Sequence, residues 1–136
     1  MRFMTLYKPG KESDAPPTQE EMANMGRLIE DMARAGVLIA TDGLQPSSKG
    51  ARVKFSGAKR TVIDGPFAEV KELIAGFWLI EVKSKDEAIE WVKRVPCMEG
   101  SVVEIRQVFE AADFAEAYPP ELREREAALR AAAKDK

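Results

Sequence analysis

Apolar positions recur along this chain with two alternating periods, and the order of those periods outlines a fold. Phe3, Met4, Thr5, Leu6 and Tyr7 form a β-rich run stopped by Pro9 and Gly10, and the segment through Pro16 and Pro17 reads as a loop. Thr18 and Glu21 then stand at capping-box spacing, and Met22, Met25, Ile29, Met32 and Ala33 follow at helical spacing until Gly36. This predicts a helix over 19–35 with a methionine-rich stripe turned to the core. Residues 37–40 form a short apolar strand, Asp42-Gly43 opens a loop, and 52–55 and 61–63 read as two strands of a hairpin around Ser56-Gly57-Ala58. After the Asp64-Gly65-Pro66 turn, residues 74–83 make the longest strand, with Phe77, Leu79 and Glu81 on one face and Trp78, Ile80 and Val82 on the other. Ser84 and Glu87 cap a second helix carrying Ala88, Trp91, Val92 and Val95, and 102–109 is the last strand. Beyond Glu110 a tail broken by Pro119-Pro120 ends in a helix-prone run over 121–134, in which Glu121 to Arg125 and Glu126 to Arg130 are supporting i,i+4 pairs.

The order is β-α-β, a hairpin, then β-α-β. Two such units with right-handed crossovers predict an α+β domain, the ferredoxin-like split β-α-β sheet with both helices on one face, an inserted hairpin, and a C-terminal helix. The predicted division is a domain over 1–110 and a helical extension over 111–136. If Trp78, Ile80, Val82, Val103 and Ile105 meet the helices, strand alternation sends Thr5, Tyr7, Leu79, Glu81, Glu104 and Arg106 to the other side. That helix-free face, carrying also Phe3, Phe77, Val102 and Val108, is too apolar to leave in water, so a homodimer with a cavity between two sheets is expected.

Composition narrows the chemistry. With 21 basic and 23 acidic residues the net charge is −2, which disfavours direct nucleic-acid binding. No stretch approaches the ~20 apolar residues of a membrane span. The single Cys97 excludes an intramolecular disulfide, and residues 1–10 lack a signal-peptide apolar run, so a cytoplasmic location is expected. The chain has no His, which removes Ser-His-Asp, Cys-His and His-zinc constellations. Neither a metal nor a nucleotide motif is present, and no cofactor is expected.

The residues nonetheless resemble a known family. Gly43-Leu44-Gln45-Pro46, the run Asp64-Gly65-Pro66-Phe67-Ala68-Glu69 followed by Lys71-Glu72, Gly76-Phe77-Trp78-Leu79-Ile80-Glu81, and Glu104-Ile105-Arg106 are similar to the YCII-related, or DGPF-domain, proteins. The resemblance covers roughly residues 1–109 and implies a ferredoxin-like fold assembled as a dimeric α/β barrel, in bacterial cytoplasmic proteins of mostly unassigned role. In YCII-like relatives a His on the first helix, paired with an Asp, is the candidate active site, and related proteins include a dehydrochlorinase. This chain has Asn24 and Met25 there and no His. Some DGPF proteins also resemble accessory partners of extracytoplasmic-function sigma factors.

Asp64 and Glu104 are the candidate catalytic carboxylates, and Tyr7, Glu81 and Arg106 the candidate ligand-binding residues. Arg106 offers a planar fork of donors suited to a carboxylate or phosphate, with Glu104 or Glu81 to hold it. The plainer alternatives are turn chemistry for Asp64 and a salt bridge for Glu104 and Arg106. Lys49, Arg52, Lys54, Lys59 and Arg60 make the hairpin basic, which suits an acidic partner or protects an edge strand from pairing. The leading expectation is a dimer that binds a small polar or anionic metabolite. The alternatives are a lyase or isomerase using Asp64 or Glu104 with Arg106, and an interaction module that meets a protein partner, such as a sigma factor, through the basic hairpin or the C-terminal helix.

Overall fold

The computed structural model describes residues 1–13 and 15–134. Asp14 in the first loop, and Asp135 and Lys136 at the end of the predicted extension, lie outside the described residues. Four strands, β1 (Arg2–Lys8), β2 (Leu38–Gly43), β5 (Gly76–Glu81) and β6 (Val102–Gln107), form one antiparallel sheet in the order β2-β5-β1-β6. Among the described residues, strands β3 (Ala51–Ser56) and β4 (Lys59–Asp64) pair only with each other. Three α-helices complete this α+β architecture: α1 (Gln19–Arg34), α2 (Lys85–Val92) and α3 (Pro120–Lys134). A 3₁₀ segment, Ala111–Ala117, precedes α3 and has no counterpart in the periodicity.

Both predicted caps form. Thr18 Oγ1 accepts from the Glu21 N–H at 3.1 Å, and Ser84 Oγ accepts from the Glu87 N–H at 3.1 Å. Glu87 returns the favour by accepting from the Lys83 N–H at 2.9 Å, so the start of the two-turn α2 is held from both sides. Leu28 and Met32 of α1 and Ala88 of α2 bury against Phe3, Trp78, Ile80 and Val82, so α1 and α2 share one face of the sheet and its core. An exposed ion pair between Arg94 and Asp31 links the ends of the two helices.

Gly26, in mid-α1, is exposed, and a Cβ there would meet nothing within 4 Å. Gly26→Ala is expected to stabilise the protein by ~0.5–1 kcal/mol, the helix-interior difference between the two residues. Urea unfolding at neutral pH measures this, and a variant no more stable than its parent would refute it.

Pairing register corrects one part of the sequence reading. Phe3 lies opposite Ile80, Thr5 opposite Trp78 and Ile105, and Tyr7 opposite Gly76 and Val103, so all three belong to the helix-covered face. Thr5 is only 1% exposed, and its hydroxyl donates to the Trp78 carbonyl at 3.0 Å, which makes a polar side chain tolerable there. The open face instead receives Met4 and Leu6 from β1, Phe77 and Leu79 from β5, and Glu104 and Arg106 from β6. The faces read for β5, and for Val103 and Ile105, hold.

Candidate functional site

On the open face, pairing places side chains in rows across the strands. One row runs Asp42, Phe77, Leu6, Glu104, and the next Ala40, Leu79, Met4, Arg106. An apolar band is thus bounded on its β6 side by charge. Lys8 Nζ meets Glu104 Oε1 at 3.1 Å, and Arg106 Nη1 meets Glu104 Oε2 at 3.3 Å. The three form a Lys8–Glu104–Arg106 row in which the Arg106 side chain stays 72% exposed. Its guanidinium therefore has room for a further anion.

The hydrogen bond from Lys8, followed by that from Arg106, holds the Glu104 carboxyl below its ordinary value of 4.5. A depressed folded-state value means that the stabilisation is fully present above about 4.5 and is lost as pH falls through the folded value. The stability gap between the protein and Glu104→Gln is therefore expected to be constant near neutrality and to close in acid. Thermal melts across that range test it, and a gap undiminished at the acid end would contradict it.

The five candidate residues do not form one cluster. Glu104 and Arg106 are together, whereas Glu81 lies opposite Arg2 on the same face, two strands and about 10 Å of sheet width from β6. Tyr7 is on the other face, with its ring edge-on to Trp78 at 6.3 Å between centroids and its hydroxyl 3.5 Å from Ser101 Oγ. It therefore shares no cavity with Arg106. Asp64 ends β4 opposite Ala51, exposed and off the four-stranded sheet.

Around Asp64 the D-G-P-F run has a visible structural task. A Cβ on Gly65 would lie 1.7 Å from the Ser47 carbonyl oxygen, and the Gly65 N–H donates to the Gly50 carbonyl at 3.0 Å. The Gly65-Pro66 peptide is cis. The Phe67 N–H donates to Ser47 Oγ at 3.2 Å, while the Ser47 N–H and hydroxyl both donate to the Glu12 carboxylate. Arg52 stacks 3.8 Å above the Phe67 ring and pairs with Glu69 at 3.6 Å. The run clamps the root of the β3–β4 hairpin.

Two features were missed in the sequence. Lys8 completes the charged row, and only the β1–β6 register shows it. Phe109 and Phe114 are tilted together at 4.7 Å between centroids and Phe114 meets Tyr118 edge-on at 5.6 Å, and with Leu122 and Arg130 they line an open groove of about 450 Å³ that reaches Arg2. Their spacing of five and four residues was the available signal. Tyr118 donates to Glu126, a bond that raises its phenol above the ordinary value of 10.0. Partial withdrawal of the sulfur from water raises the Cys97 thiol above 9.0 although the residue as a whole is exposed, so little thiolate forms at neutral pH. Among the described residues no group of three or more Asp, Glu and Cys is placed to hold a metal ion. No helix among them is long and apolar enough to cross a membrane.

The model of the YCII-related domain matches residues 1–112, which takes in the whole sheet, the hairpin and both core helices. The chain belongs to the YCII-related domain family. The chain is also similar to an uncharacterized protein, R00369, of Rhizobium meliloti (strain 1021), at 34% identity over 83 residues. That match covers 61% of this YCII-related chain and 64% of the relative's length. Helix α3 lies beyond the YCII-related match.

Proposed function

We propose that this YCII-related chain is a ferredoxin-like domain that pairs through its open sheet face into a dimeric α/β barrel. In the cavity between the sheets it binds a small anionic metabolite. The observation that carries the reading is the Lys8–Glu104–Arg106 row beside the apolar band of Met4, Leu6, Phe77 and Leu79. Two cations around one carboxylate leave a net positive charge, and the exposed Arg106 fork matches a carboxylate or phosphate group. The apolar band supplies contact area for the second sheet and for the ligand's carbon skeleton.

Binding is favoured over acid-base catalysis at this site. A Glu held below its ordinary value by Lys8 is ionised at neutral pH, which removes it as a proton donor and makes it a weak base. Asp64 stands on a separate strand pair and is not available to assist it. A partner-binding role for α3 has in its favour that the helix buries none of its residues. A pull-down that survives deletion of residues 121–136 would remove that role.

The test is a thermal-shift screen of small carboxylates and phosphates against the protein and Arg106→Leu, with light scattering on both. A ligand at about 100 times its Kd adds ~2.7 kcal/mol, and this stabilisation is expected to vanish in the variant. No shift with any such compound, in a folded dimer, would overturn the binding reading. A monomer at micromolar concentration would overturn the shared cavity.

A further inference from the structure

The β3–β4 hairpin is a clamped element that, among the described residues, is held by its own domain at its root, where Arg52 meets Phe67 and Glu69. Every residue from Ala51 to Asp64 is exposed, and among the described residues the extended contact of each strand is with the other. Its turn is tight, with Gly57 at φ +59°, and its root is fixed by Gly65, Ser47, Glu12 and the stack of Arg52 on Phe67. A two-stranded ribbon alone in water is at best marginally stable. The sequence nevertheless writes it as a well-formed amphipathic ribbon.

Cross-strand pairing assigns its two faces. Val53 pairs with Val62 and Phe55 with Arg60, so Val53, Phe55 and Val62 share a side, with the Arg60 guanidinium 4.6 Å over the Phe55 ring. Arg52, Lys54 and Lys59 occupy the other side, with Thr61 and Ile63. Val53, Phe55 and Val62 are 50%, 69% and 65% exposed. Three such side chains in contact on a protruding ribbon are an apolar surface awaiting cover.

We propose that this hairpin is a clasp. In the pair of chains each hairpin crosses to the second copy and lays its Val53–Phe55–Val62 side on that copy, beside its open sheet face. The inference rests on the face-to-face pairing proposed above and adds a second contact to it. Three observations select a second copy as the occupant. Residues 51–64 hold four basic residues and one acidic, a net +3, and since the whole chain carries −2, its other residues carry −5. Arg52, Lys54 and Lys59 lie on the other side, and the cation on the apolar side is Arg60, which Asp42 and Glu81, exposed on the open face of a second copy, complement. Six-residue strands reach about 20 Å, twice the ~10 Å between packed sheets, so a hairpin rooted beside β2 and β5 can overlap the opposing domain. Covering ~400 Å² of each hairpin against an equal partner area, twice over by symmetry, approaches the ~1,600 Å² of a standard interface.

Sedimentation equilibrium and hydrogen exchange, read together, test the clasp on the full chain. The β3 and β4 amides are expected to be protected at concentrations where the chain is dimeric and to lose protection on dilution. Phe55→Asp combined with Val62→Asp is expected to weaken the dimer by about tenfold or more and to abolish hairpin protection, with exchange of the β1 and β5 amides unchanged. Raising salt is expected to weaken the wild-type dimer more than the variant. A dimer whose hairpin amides exchange freely at every concentration, or whose strength ignores the double substitution, would overturn the clasp and leave the sheet pairing standing. A wild-type chain that stays monomeric would overturn both.

Discussion

Trp78→Ala is expected to cost about 3–5 kcal/mol of folding stability, the range for deleting a large buried aromatic side chain. Trp78 is 3% exposed in the middle of β5, paired with Thr5 of β1 and Thr41 of β2 and edge-on to the Tyr7 ring, within the core formed with α1 and α2. For a domain of this size the loss corresponds to roughly 10–20 °C in Tm. Trp78→Phe separates ring volume from polarity. Among the described residues the indole Nε1 has no acceptor, so Phe removes a buried, unsatisfied donor that costs ~1–3 kcal/mol while giving up part of the ring. The two effects oppose, and the Phe variant is expected within about 1.5 kcal/mol of the parent. Urea unfolding of both variants measures this. A Phe variant as unstable as the Ala variant would mean that the indole N–H contributes more than the packed ring.

Gly65→Ala is the second large effect, and it acts through backbone instead of core. The added Cβ would fall 1.7 Å from the Ser47 carbonyl oxygen and 2.6 Å from its carbon, contacts that no side-chain rotation relieves. The 43–50 and 64–67 segments must separate, which removes the Gly65–Gly50 hydrogen bond and the Phe67 contact to Ser47. The expected cost is ~3 kcal/mol, at the upper end for overpacking. Because the hairpin root is separate from the main core, exchange should accelerate in β3 and β4 more than in β1 and β5. A variant with parental stability and hairpin exchange would show that the D-G-P-F run does not clamp the root.

Much of this fold is legible in the sequence because its signals are local. Thr18, Glu21, Ser84 and Glu87 mark helix starts by hydrogen bonds that close within four residues, and Gly57 marks the hairpin turn by its backbone freedom. Strand β1 is different. Phe3 and Tyr7 alternate with Met4 and Leu6, so both faces are apolar and the period alone does not say which one is covered. The polarity of Thr5 and Tyr7 points to the open side, and the register with Trp78, Ile105 and Val103 sends them inward, where the Trp78 carbonyl takes up the Thr5 hydroxyl. The same non-local register brings Lys8 to Glu104, which is why half of the candidate site could be named from spacing and its cation could not. Arg106 and Glu104, two residues apart on one strand, needed no register to be paired.

The two rims of the four-stranded sheet differ from its middle in a way that limits how this protein can associate. Strand β2 breaks its pairing rhythm with a bulge between Leu38 and Ala40, and β6 presents Glu104 and Arg106 along a six-residue strand. A fibril needs long, flat, regular rims onto which identical strands can be added without end, and neither rim offers one. The rims of the four-stranded sheet therefore give crowded copies no flat template for open-ended stacking, which leaves the hairpin strands as the exposed edges.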